Sequence, residues 1–540
     1  MSKFGNPNIF YDKASKEELK TDYWGYIPKS IDDAINYVIN NDEKNVLSDN
    51  KFNLLSTILR NYHKKLGIYS NKFETNLAKL RNGSIITGQQ PIIIGGPGYI
   101  ANKLSTLIKF DDEFQKRKHH LSPIFFIADY DGLQKEISKQ YFPNPISHKA
   151  YHLDFQQFYG VDANTAVHST ALPPEEYFKD LLSSFENNLN GFKKLISTDK
   201  RKLFTERWDH IKTLLLSSFY NSTTISELFT IIWGTITNII NDYGIIFFPT
   251  SNTEIRKLIY SEYNHIVNRI DDYITNYKLQ TKKLENNQLS PPLPNKESDY
   301  SPFILECNKD KNRLQTSIHY DGKHRNAIGK CNFCKKTYNY PINNLEDFEK
   351  ISEILGPRVD TSQVVFQKLL NIQLRISGPG EIAYFSQITR PLQKIGYQTP
   401  IYYKYKRVFY NTSWLEQLGK SIHEKNGNSI HQNVLFRILK ERSNYLKKNN
   451  INKIRLNDLE LNNFLQTQFN NLEKNNDLET SKYIGWQFGK FNKQKFGQEV
   501  SWSWFDLCIQ TGLSDYLNTY IRSINIHSYP GGINYINSML

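Results

Sequence analysis

SIITGQQPIIIGGPGYIANKL, residues 84–104, holds the transition that decides the fold. Ser84-Ile85-Ile86 is an apolar run short enough for a buried strand, and Thr87-Gly88-Gln89-Gln90 ends it. Beyond Gly95-Gly96-Pro97-Gly98 the pattern predicts a helix from about Tyr99 to Phe110. Downstream, PIFFIA (123–128) is a continuous apolar run, as expected of a strand covered on both faces. It stops at Asp129 and Asp131, which puts polar groups at its carboxyl end, where open parallel sheets bind ligands. Ile245 to Phe248 repeats the pattern and is stopped by Pro249. A helix is expected from Thr253 to about Tyr277, and then a further apolar run, Ile372 to Ile376. Gly378-Pro379-Gly380-Glu381 opens another helix. Strands alternating with helices predict an α/β fold on a parallel sheet.

The rest of the chain is arranged around that core. Residues 1–80 read as a helical region, with Leu54, Leu55, Ile58, Leu59 and Tyr62 at helical spacing. The core runs over 81–300 and resumes over 346–410. Between these parts, 301–345 reads as a small β insertion, preceded by a polar, proline-bearing linker over 278–300. Residues 411–540 form a helical C-terminal region. There Val434, Leu435, Ile438, Leu439, Tyr445 and Leu446, then Leu461, Phe464, Leu465, Phe469 and Leu472, suggest a helical hairpin, which leaves a coiled-coil homodimer open.

Composition narrows the function classes. The chain has 540 residues, a net charge of +14 and 14% aromatics, with 34 Tyr and 32 Phe, so rings carry much of the burial. The positive charge favours anionic partners, but it is dispersed, which argues for a solvated surface over a nucleic-acid groove. Four cysteines make no disulfide framework, and the N-terminus lacks an apolar signal core. Ile225 to Ile240 is too interrupted by polar residues to span a bilayer and reads as a buried helix. A cytoplasmic protein is expected.

Two glycine-rich junctions are candidate binding sites. At the first, Thr87, Gly88, Gln89, Gln90, Gly96 and Tyr99 surround a strand end and a helix start, where backbone N–H groups favour an anion; Lys103 lies one turn in. At the second, Gly378, Gly380, Glu381 and Tyr384 repeat the arrangement, although a first-turn glutamate is also what a helix cap requires. Cys331-Asn332-Phe333-Cys334 is a CxxC, with Cys307 upstream and His319 and His324 between. Three cysteines and one histidine (His324 or His319) would complete a structural zinc site; a pair of reduced thiols is the alternative. Cys508 reads as a buried core thiol.

The motifs TGQQ, GP-x-Y with Lys103, and GPGEIAY, in that order, resemble the cysteine-adding family of bacillithiol biosynthesis (BshC), over roughly residues 84–407. The resemblance implies a Rossmann-like catalytic core related to nucleotidyl-transferase folds, with a helical C-terminal arm. It also implies an ATP-driven transfer of cysteine onto the amine of glucosaminyl-malate. The family's acidic, histidine-containing strand-end motif falls on Tyr130-Asp131-Gly132-Leu133-Gln134, where only Asp131 matches, with Glu136 as a downstream acid. Its arginine-proline pair falls at Ser362-Gln363, with Arg358 close by, and its C-terminal signature has no counterpart here. Asp131, Glu136 and Glu381 are therefore the candidate catalytic residues. The other readings are a synthetase-like paralogue with another small acceptor and a nucleic-acid-binding protein.

Overall fold

A computed structural model describes residues 7–14, 17–41, 47–134, 137, 139–144, 149–155, 158, 162–322, 324–413, 467, 474, 498–528, 530 and 533–538. Glu136 and the amphipathic segments expected to form the hairpin (434–446 and 461–472) lie outside the described residues, apart from Thr467.

Five parallel strands form the central sheet: β1 (Ser84–Gln89), β2 (Ser122–Ile127), β3 (Ile246–Pro249), β4 (Ile372–Ser377) and β5 (Ile401–Lys404). Their spatial order is β5-β4-β1-β2-β3. The chain leaves β1 in one direction along the sheet and later returns to its other side as β4. The switch point therefore lies between β1 and β4. The connection from β1 to β2 is helix α1 (Tyr99–Lys116), and that from β4 to β5 is helix α2 (Pro379–Lys394).

The apolar runs alternate between two cores. Ile85, Phe125, Ile127, Phe247, Leu374 and Ile376 face the side covered by α1. Ile86, Ile124, Phe126, Ile246, Phe248 and Ile372 face the side covered by α2 and the helices Thr253–Asn268 and Ile270–Asn286. A strand covered on both faces cannot alternate apolar with polar, which is why these segments read as unbroken hydrophobic runs. The α/β, Rossmann-like expectation is borne out.

Several sequence-based boundaries shift. The helix expected from Thr253 to Tyr277 breaks at Arg269 and then continues to Asn286, so the linker begins about ten residues later than expected. That linker is also anchored. Lys296 is buried against Asp360 at 2.5 Å, over the rings of Tyr277 and Tyr300. Ile225–Gly234 is α-helical, and Thr235–Ile240 widens into a π-helical turn. No helix among the described residues is long and apolar enough to cross a membrane. The region after Asp131 holds two small antiparallel pairings that periodicity did not reveal: Lys139–Asn144 with Lys149–Asp154, and Gly132–Leu133 with Asp162–Ala166. At the C-terminus, Ile533–Asn537 returns to pair in parallel with Arg407–Asn411.

At the edge of the sheet, the N–H of Phe247 in β3 donates to Nε2 of His63, at 3.0 Å. The Nδ1–H of the same ring donates to the Leu59 carbonyl at 2.8 Å, and the ring stacks on Phe73. Full burial pulls the imidazole down to a pKa of about 4. A histidine held neutral in the fold contributes stability above its unfolded pKa of ~6.5, which is lost as pH falls through the folded value. The difference corresponds to about 3 kcal/mol. Urea midpoints should therefore fall steadily between pH 6.5 and pH 4. His63→Gln should flatten that part of the profile, and an equally steep profile in the variant would contradict this role.

Candidate active site

A cavity of about 440 Å³ opens at the carboxyl ends of β1 and β4, at the switch point. Both glycine motifs line it: Thr87, Gly88, Gln89 and Gln90 from the first, Gly378, Gly380, Glu381 and Tyr384 from the second, together with Tyr99, Lys103 and Asp131. Residues some 290 positions apart meet because β1 and β4 are hydrogen-bonded neighbours. The Thr87 hydroxyl fastens them by donating to the Ile376 carbonyl at 3.0 Å. Gly88 is required by close approach: a Cβ there would stand 2.6 Å from Cβ of Phe126 on β2.

Lys103 is buried, and its three donors are directed inward. Nζ donates to the Gly88 carbonyl (2.7 Å), to Oε1 of Gln89 (3.1 Å) and to Oε2 of Glu381 (2.8 Å). The same Glu381 oxygen accepts the Gly378 N–H at 2.7 Å, capping the start of α2. Glu381 is thus both the cap and half of an ion pair bridging the two motifs. Lys103, expected to neutralise a bound anion, is instead already neutralised by Glu381.

Arg375, in the middle of β4, is a second buried cation lining the cavity. Its guanidinium lies over the rings of Phe126 and Phe385, and among the described residues neither Nε nor Nη2 has a hydrogen-bond partner. An unpartnered buried guanidinium is costly unless a ligand pairs with it, and its planar fork matches a carboxylate or phosphate. Phenols complete the wall. Burial, then the charge of Glu381, pushes Tyr384 well above the usual range; burial, then Glu499 and Glu381, does the same to Tyr405. Tyr130 is raised chiefly by burial, with Asp131 adding to it. All three therefore stay protonated, as hydrogen-bond donors. Asp131 accepts from Nε2 of Gln90 and lies 3.8 Å from Nη1 of Arg313.

Gly96 is not among the residues lining the cavity. The Gly95–Gly98 turn is used for packing: Gly96 accepts from the Trp504 N–H, Gly98 donates to the Trp502 carbonyl, and the Trp233 indole donates to the Gly95 carbonyl. Gly95 has φ +88°, and a Cβ there would stand 2.6 Å from Nε1 of Trp504. Sequence reasoning missed Arg375 because it was read as part of an apolar strand. It also missed Tyr405, Arg407 and Val500, which reach the cavity from the end of the core and from the C-terminal return. Gly132 and Leu133, at the altered motif, supply no proton carrier, and Leu133 is buried in the core. His168, just beyond the paired strand, bonds Glu306 at 2.9 Å and lines a separate cavity of about 530 Å³.

Around the three-stranded antiparallel sheet of Gln315–Asp321, His324–Lys330 and Thr337–Pro341, where a β insertion is expected, Cys307, Cys331 and Cys334 converge as expected, but the fourth potential ligand is Asp310. His324 is excluded because it begins the strand His324–Lys330, whereas Cys331 follows its end. At about 3.3 Å per residue that separates them by roughly 20 Å. His319 pairs with Asn326 on the neighbouring strand, and its ring faces Ser317.

This geometry defines a Rossmann-type α/β protein whose cavity, at the switch point of the sheet, is lined by a buried guanidinium with two nitrogens unpartnered among the described residues. The family model for "Bacillithiol biosynthesis BshC, N-terminal Rossmann-like domain" matches residues 9–407, and the chain belongs to that family. Relatives named "Putative cysteine ligase BshC" include that of Staphylococcus epidermidis, 23% identical over 407 residues, which covers 74% of this chain and 69% of the relative. The protein of Staphylococcus saprophyticus is 22% identical, covering 70% of this chain and 66% of its own. That of Carboxydothermus hydrogenoformans is 21% identical, covering 72% and 65%. The matched region thus spans about two thirds of these relatives' own length.

Proposed function

We propose that this protein is a cysteine ligase that joins the cysteine carboxylate to the amine of an amino-sugar conjugate such as glucosaminyl-malate, with ATP as cosubstrate. The observation that carries this reading is Arg375, a buried guanidinium with two nitrogens unpartnered among the described residues, lining a cavity walled by both family motifs. Both substrates bring carboxylates, and the cosubstrate brings phosphates, so an anion-seeking fork suits the chemistry.

Amide formation from a carboxylate requires that an oxygen leave. ATP supplies this by converting the carboxylate into an acyl phosphate or acyl adenylate, so that phosphate or AMP departs as the C–N bond forms. The residues of this chain bind and orient. Arg375 pairs with a carboxylate or phosphate oxygen, and Tyr130, Tyr384 and Tyr405 donate to the remaining oxygens. Asp131 receives the acceptor ammonium and takes its proton, releasing the lone pair that attacks. The Lys103–Glu381 pair holds the two motifs at fixed separation, which keeps the reacting groups adjacent.

A second reading, a paralogous enzyme with another amine acceptor, is favoured by one observation. Gly132 and Leu133 replace the polar residues of the family motif, and Leu133 is buried in the core. Calorimetric titration addresses the site itself. Cysteine, ATP or glucosaminyl-malate is expected to bind with a dissociation constant below the millimolar range. Absence of heat with all three, separately and together, would contradict a ligand site here.

A further inference from the structure

The β insertion carries a feature that the ligase reading does not use. Two short loops in it have the same construction. In the first, Cys307 and Asp310 are separated by two residues, Lys311 adopts a left-handed backbone (φ +59°), and the Cys307 N–H donates to the Asn312 carbonyl at 2.8 Å. In the second, Cys331 and Cys334 are separated by two residues, Lys335 is left-handed (φ +62°), and the Cys331 N–H donates to the Lys336 carbonyl at 3.0 Å. The segments CNKDKN (307–312) and CNFCKK (331–336) are thus two copies of one knuckle, with aspartate in one where the other has cysteine.

The knuckles face each other. Cys307 Sγ lies 3.6 Å from Cys334 Sγ, and Cys331 Sγ lies 3.2 Å from Oδ2 of Asp310. All four donor atoms fall within 4.8 Å of one another. A tetrahedral zinc ion with Zn–S bonds of about 2.3 Å holds its sulfurs roughly 3.8 Å apart, close to the observed spacing. A disulfide would need the sulfurs at about 2 Å. Thiolates with one carboxylate select zinc over the hard cations magnesium and calcium. The Tyr338 hydroxyl, 3.1 Å from Cys307 Sγ, is placed to donate to a metal-bound thiolate.

We infer that Cys307, Asp310, Cys331 and Cys334 bind one structural zinc ion that clamps the two knuckles together. The ion would also steady a neighbour of the candidate active site. Arg313 directly follows the first knuckle; its N–H donates to the Asn164 carbonyl, and its guanidinium approaches Asp131. The clamp therefore sets where Arg313, and through it Asp131, is held. The inference about metal content does not depend on the ligase reading, because it is read without any substrate.

The test is elemental analysis of the full-length protein purified under reducing conditions without added metal, followed by X-ray absorption at the zinc edge. About one zinc per chain is expected, with three sulfurs and one oxygen in the first coordination sphere. His324→Ala should retain that stoichiometry, and Asp310→Ala should release zinc to a chelator at least tenfold faster than the wild type does. Metal-free wild-type protein, a nitrogen donor lost in His324→Ala, or a Cys307–Cys334 disulfide in the reduced preparation would each overturn the assignment. The wild-type spectrum decides the matter even if a cysteine variant fails to fold.

Discussion

Arg375→Met is expected to weaken binding of the carboxylate- or phosphate-bearing ligand by about 100-fold or more. Removing one partner of a buried, hydrogen-bonded charge pair costs on the order of 3 kcal/mol, and each 1.4 kcal/mol is tenfold. The direction of the stability change separates a binding role from a structural one. In the ligand-free fold the guanidinium is buried and two of its nitrogens lack partners, so it contributes desolvation cost without compensating hydrogen bonds. An apolar side chain of similar length should leave the unfolding midpoint unchanged or raise it, by up to roughly 2 kcal/mol. Calorimetric titration and urea unfolding of the same preparation read both quantities. Unchanged binding together with a lower unfolding midpoint would make Arg375 a structural residue.

Asp131→Asn is expected to reduce turnover by ~10²–10⁴-fold, the usual contribution of a positioned general base. The asparagine oxygen can still accept from Gln90, so folding and ligand affinity should change little. A loss confined to kcat supports proton transfer by Asp131. A rise in KM with kcat unchanged would instead assign it to holding the acceptor ammonium. Full activity would move the base elsewhere, with Glu136 the first alternative to mutate.

The parts of the fold legible in sequence were those in which local chemistry and tertiary environment agree. IFFI and its neighbours are apolar on both faces because both faces are covered, so β1, β2 and β3 were found where expected. TGQQ and GPGE were legible as junctions, and their meeting follows from parallel pairing of β1 with β4. Arg375 was not legible: a charge in a buried strand leaves no periodic signal, and only the cavity beside β4 shows why it is tolerated. Lys103 is legible as a site residue, but its ion-pair partner Glu381, 278 positions away, is not. Gly96, which the structure places in a packing turn rather than in the cavity lining, differs from expectation for a related reason. A glycine run at a helix start serves ligand approach or helix packing equally well, and Trp504, some 400 residues on, decides for packing. Asp310 is not legible as a ligand by residue type, since carboxylates abound on surfaces, although its spacing from Cys307 repeats that of Cys331 and Cys334. The short pairings after Asp131 are too brief to build up a pattern.

Mass spectrometry of the products tests the ligase reaction most directly. Purified protein is incubated with cysteine, ATP and glucosaminyl-malate, with Arg375→Met and Asp131→Asn assayed in parallel. A product equal in mass to cysteine plus the acceptor less one water is expected. It should form only with ATP and wild-type protein at the full rate, with the variants reduced as above. If protein that binds ATP consumes no cysteine with glucosaminyl-malate, nor with any amine acceptor from a cell extract, the ligase assignment is contradicted.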